Sequence, residues 1–118
     1  MRFQSVARLA AALVLCLAAP LAAEAASFKC AKATQADEKL ICQDRRLNDL
    51  DVELSVRLDV LKHLMPMGQR AALMDDQSAW FVARRQCAAD RACLIRHYGD
   101  RLEEVNGALA RIYRKGPF

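Results

Sequence analysis

The chain has 118 residues, 18 Lys and Arg against 14 Asp and Glu, a net charge of +4, five cysteines, four glycines and three prolines. That length suits one domain, and the charges are interleaved rather than blocked, which argues against a nucleic-acid stripe or a polybasic membrane patch. Only Arg84-Arg85 and Arg114-Lys115 are locally dense.

Residues 1–25 read as a cleavable signal peptide. Arg2 and Arg8 open the chain without an acid, and Leu9 to Leu21 is a nearly unbroken run of Ala, Leu and Val. The run is too short to serve as a mature membrane span, and Ala23-Glu24-Ala25 places small residues at −3 and −1 of a cleavage after Ala25. An N-terminal membrane anchor is the alternative. Cys16 does not make a lipidation site, because Leu15 stands where a small residue is required. Removing Arg2, Arg8 and Glu24 leaves 16 basic against 13 acidic residues, a net +3, on 93 residues. The mature protein is thus expected to be periplasmic or secreted, with no stable membrane insertion.

Four cysteines remain, Cys30, Cys42, Cys87 and Cys93. An even count in a small exported domain reads as two disulfides, useful where the core is small. Zinc is the rival reading, but no C-x2-C pair occurs and neither His63 nor His97 sits at ligand spacing to a cysteine. No metal and no cofactor is expected.

The mature chain reads as helix almost throughout. Thr34 suits an N-cap, with Asp37 and Glu38 in the first turn of a short helix ending near Gln43. Asp44 caps a long second helix whose stripe is Leu47, Leu50, Leu54, Leu58, Leu61 and Met65. Met65-Pro66-Met67-Gly68 breaks it. A third helix covers about residues 69–88, with Leu73, Gln77, Trp80, Phe81 and Arg84 on one side. Asp90 caps a fourth, with Leu94, Tyr98, Leu102, Val105, Leu109 and Ile112 as its stripe. The expectation is an all-α, disulfide-stapled bundle over residues 26–115, built on an antiparallel hairpin of the second and third helices, with residues 116–118 a loose tail.

In that hairpin Leu54 faces Trp80 and Asp51 faces Arg84. Isolated charges at the edge of apolar stripes are costly to bury, so Asp51 and Arg84 are expected to form a structural polar pair. The cysteine connectivity stays open between a local pairing, Cys30–Cys42 with Cys87–Cys93, which is preferred, and Cys42–Cys87 with Cys30–Cys93.

Cys30-Ala31-Lys32-Ala33-Thr34, Glu38-Lys39-Leu40-Ile41-Cys42, Leu47 and Leu50-Asp51-Val52-Glu53-Leu54, followed by Gln77, Trp80, Arg84, Cys87, Cys93-Leu94, Tyr98 and Arg101, resemble the LprI-type lysozyme-inhibitor N-terminal domain. The resemblance spans about residues 28–109. It implies a protein-binding module that inhibits lysozyme or another cell-wall hydrolase by non-covalent contact. This chain departs from the family pattern at Leu58, where an aromatic is usual, at Arg85, where an acid is frequent, and in lacking a lipobox. The alternative reading is an envelope interaction or stability factor with another protein partner.

Most polar motifs also have plain structural readings. Trp80 is expected in the core beside Phe81, and Gln77 and Arg84 are expected to satisfy local polar groups. Tyr98 is expected half-buried with its hydroxyl at the surface. Arg101 shares its face and is expected to pair with an acid. His63 and His97 read as solvated, and Met65, Met67 and Met74 as filling the end of the core. Ser27, Thr34, Ser55 and Ser78 form no nucleophile motif, and the thiols close as disulfides, so no catalysis is expected. A short first helix leaves an apolar groove that a second copy could fill.

Overall fold

The computed structural model describes residues 26–116. The expected signal peptide, Cys16 included, and the last two residues of the tail lie outside the described residues.

A single 3-10 turn, Cys30–Lys32, leads into helix α1, Ala36–Gln43. The helix begins one residue later than Thr34 predicts. The Glu38 carboxylate turns back to accept the backbone N–H groups of Thr34 and Gln35 at 3.3 and 3.4 Å, so Gln35 takes the cap position. Asp44 ends α1 and caps α2, Arg45–Leu64, its Oδ1 accepting the Leu47 N–H at 3.0 Å. Only Met65 and Pro66 separate α2 from α3, Met67–Gln86. The break is shorter than expected because Pro66 itself supplies the N-cap: its carbonyl accepts the Gln69 N–H at 2.9 Å, and Met67 and Gly68 join the helix. Cys87 ends α3. Ala88 follows with φ 47°, the left-handed conformation that glycine ordinarily supplies after a helix. Asp90 then caps α4, Arg91–Lys115, accepting the Cys93 N–H at 3.0 Å.

Both disulfides are local. Cys30–Cys42 ties the 3-10 turn to the end of α1, and Cys87–Cys93 closes the turn between α3 and α4.

The core is a leucine seam. Leu47, Leu50, Leu54 and Leu61 of α2 meet Leu94, Leu102, Val105 and Leu109 of α4, with Ile41 of α1 across one end. The most extensive close packing of backbones is between α2 and α4, rather than between the consecutive helices α2 and α3. Helix α3 contributes Trp80 to the core and otherwise reaches inward with Gln77 and Arg84. Large side chains therefore hold α3 at a distance, and a groove stays open between it and α2. No described helix is long and apolar enough to cross a membrane.

Candidate functional site

At one end of the bundle four helices send polar side chains to a single buried point. Arg84 of α3, only 3% exposed, is its hub. Its Nε donates to Asp37 Oδ2 of α1 at 2.7 Å, and its Nη1 donates to the Tyr98 hydroxyl of α4 at 3.3 Å. Tyr98 in turn donates to Asp51 Oδ1 of α2 at 2.8 Å. Asp51 and Arg84 lie 4.0 Å apart, joined through the phenol rather than by a direct hydrogen bond. Glu38 stands 3.9 Å from the guanidinium on its outer side. The other Asp51 oxygen, Oδ2, accepts the backbone N–H of Ser27 at 2.6 Å, which draws the segment before the 3-10 turn onto α2.

Aromatic rings close over the guanidinium. Its Cζ lies 5.2 Å from the Phe81 ring centre, 5.8 Å from Phe28 and 5.9 Å from Trp80. The planar group thus has carboxylates at its edge and rings over its face, an arrangement lysine cannot reproduce. Burial works against the Arg84 charge, but the Tyr98 oxygen and the Asp37 carboxylate outweigh it and hold the group above its ordinary value. Burial, and then the Asp51 charge, push the Tyr98 phenol far above its ordinary 10.0.

Asp37 is the member that the sequence reading did not single out. It shares the inward face of α1 with Ile41 at i+4, and an acid on the apolar face of a short helix is the available signal. Tyr98 differs from its expected placement: the ring is fully buried and the hydroxyl sits at the centre of the cluster, because only there does it meet both a donor and an acceptor. His97 differs too. Its ring stacks on Trp80 at 4.8 Å and 11° between planes, and Nε2 lies 3.2 Å from the Trp80 carbonyl oxygen, so it seals the α3–α4 seam. His63 is exposed, with Nδ1 2.7 Å from the Asp59 carbonyl.

Gln77 and Arg101 meet on the same seam, Arg101 Nε donating to Gln77 Oε1 at 3.1 Å and Nη1 to Glu104 at 2.9 Å. Trp80 Nε1 and Arg101 Nη2 are buried without a hydrogen-bond partner among the described residues. Of the three described methionines, Met65 packs against the core, whereas Met67 and Met74 are exposed, since α3 starts early and turns both outward. Phe81 is also partly exposed, over the Arg84 plane.

Beside the cluster lies the groove between α2 and α3, about 290 Å³, lined by Leu54, Leu58, Leu73, Met74, Trp80 and Phe81, with Ser27 and Asp51 at its inner end. Asp59 and Lys62 stand on its α2 wall. Of the cluster's ionisable groups only Asp51 borders this opening, with its Oδ1 held by the Tyr98 hydroxyl and its Oδ2 by the Ser27 N–H. The four cysteines are closed as disulfides, so no described thiol is free to act as nucleophile or ligand.

The chain is 33% identical over 82 residues to lipoprotein LprI of Mycobacterium bovis and to the same protein in two strains of Mycobacterium tuberculosis. It is distantly similar to LprI. The match takes in 67% of this chain but only 40% of the mycobacterial proteins, so the chain spans less than half their length. No family model matches the sequence, and no solved structure is significantly similar.

Proposed function

We propose that the protein is an exported binding module that acts by non-covalent contact with another protein, a lysozyme-type cell-wall hydrolase. The observation that carries this is the division of labour in the side chains. The buried ionisable groups bond chiefly to one another, with Arg84, Asp37, Tyr98 and Asp51 forming one structural network. That leaves the surface of a stapled scaffold as the acting part. The distant relationship to LprI supports the same reading.

The surface has features that suit a cationic partner. Asp100, Glu103 and Glu104 are exposed within one turn and a half of α4, and Asp75 and Asp76 are exposed on α3. Acids so placed raise the encounter rate with a basic hydrolase even on a domain of small positive net charge. Rigid presentation by two local disulfides lowers the ordering cost of binding. The role needs no catalysis by this chain: among the described hydroxyls, Ser78 Oγ donates to its own helix at the Met74 carbonyl, and Tyr98 is committed to the cluster.

The test is a lysis assay. Purified, oxidised protein titrated against c-type lysozyme on a cell-wall substrate is expected to slow lysis in a dose-dependent, saturable way. Undiminished lysis at micromolar protein would favour an envelope factor with a different partner.

A further inference from the structure

We propose that the cluster contains an acceptor site for the chain's own amino terminus, completed only when the leader is removed. The proposal rests on cleavage after Ala25, which makes Ala26 the first residue.

The charges at the cluster do not balance without it. Asp37 and Asp51 are both buried, with side chains 1% and 3% exposed, and between them stands one buried cation, Arg84. That guanidinium makes its short contact to Asp37 at 2.7 Å and reaches Asp51 only at 4.0 Å. Glu38, 3.9 Å away on the outer side, adds a third negative group. Asp51 is thus a buried carboxylate whose one nearby cation among the described residues is held chiefly by another acid. A carboxylate in that position draws on any positive charge within reach.

The chain delivers one. The Ser27 N–H donates to Asp51 Oδ2 at 2.6 Å, and Ser27 is one residue from the expected terminus. One residue spans at most about 3.6 Å, so an ammonium on Ala26 lies within about 6 Å of the Asp51 carboxylate. That is inside the range in which an opposite charge favours both ionised forms. With the leader attached the same nitrogen is a neutral amide. Cleavage therefore adds a positive charge beside a buried acid.

The groups facing this point are Asp37 and Glu38 from α1, Asp51 from α2, Arg84 from α3 and Tyr98 from α4, with Asp59 and Lys62 farther along the groove. An ammonium beside Asp51 has its folded-state pKa raised above the ordinary α-amino value of about 7.7–8.0. Its contribution is then full below that value and is lost as pH rises through the folded pKa.

The experiment begins with the intact mass of the exported protein, which is expected to start at Ala26; any other start overturns the proposal. The mature chain is then compared with the same chain acetylated at its α-amine. At pH 6.5 the free-amine form is expected to melt about 4 °C higher, a gap that closes between about pH 8 and 10 as the amine loses its proton. In Asp51→Asn protein the gap is expected to vanish. Equal melting of the two wild-type forms at pH 6.5, or a gap that persists unchanged at pH 10, overturns the proposal whether or not the variant folds. Neither readout depends on lysozyme inhibition.

Discussion

Tyr98 and Asp51 share a 2.8 Å hydrogen bond across the α2–α4 seam, and the same phenol oxygen accepts from Arg84 at 3.3 Å. One hydroxyl therefore satisfies an acid from one helix and a cation from another. Replacing it with Tyr98→Phe keeps the buried ring and leaves both neighbours short of a partner. The expected loss is about 2 kcal/mol, above that of an exposed hydrogen bond, because unpaired buried groups bear their desolvation cost in full. Urea unfolding checks it: the midpoint should fall with the slope unchanged.

The same residue sets an alkaline limit. The Tyr98 pKa is raised, first by burial and then by the Asp51 charge. The native state holds a proton that the unfolded chain releases near 10.0, so this stabilisation is intact below pH 10 and declines above it. Phenolate absorbance from Tyr98 is expected to rise together with loss of far-ultraviolet dichroism. The Tyr98→Phe protein should lack that step.

Arg84→Met strands two buried carboxylates. The expected cost is about 3–5 kcal/mol, the range for breaking one side of a buried pair. Arg84→Lys should recover little, since an ammonium cannot fork between Asp37 and Tyr98 while lying flat against the rings. Adding Asp37→Asn to Arg84→Met should return part of the loss, because it removes one stranded charge. Thermal melting of wild type, Asp37→Asn, Arg84→Met and the double variant gives the coupling directly. Additive effects would show that Asp37 and Arg84 do not act together.

Asp44 contributes on the acid side. The hydrogen bond from Arg91 Nε, 2.6 Å from Oδ2, and then that from the Leu47 N–H hold its pKa below the ordinary 3.8. A depressed carboxylate contributes stability above its unfolded value and loses it as pH falls through the folded one. The melting temperature should thus drop below about pH 4, and Asp44→Asn should flatten that limb. An unaltered acid limb in the variant would exclude Asp44 as its source.

Much of the scaffold was legible because it is written in local chemistry. Asp44 and Asp90 announce their helices by capping, and the leucine stripes of α2 and α4 announce the faces that meet. The centre of the cluster was not legible in the same way. Asp37 in a first turn looks like an acid placed for the helix dipole, and only the approach of α1 to α3 turns it toward Arg84. Tyr98 and His97 are amphipathic side chains whose depth depends on how far α3 stands from α4. That spacing is set by Trp80 and Arg84 together, which no single-helix pattern contains.

The connectivity of the disulfides has a consequence for how the protein is made. Each bridge joins a cysteine to the next one along the chain, 12 and 6 residues apart. As the chain emerges in order, Cys42 is the next cysteine after Cys30, and Cys87 is soon followed by Cys93. A disulfide oxidant acting on thiols in order of arrival passes through a mixed disulfide with each first cysteine and is displaced by the next one, which makes the native pairs with no non-native bridge to be reshuffled. Oxidative folding should therefore proceed without an isomerase.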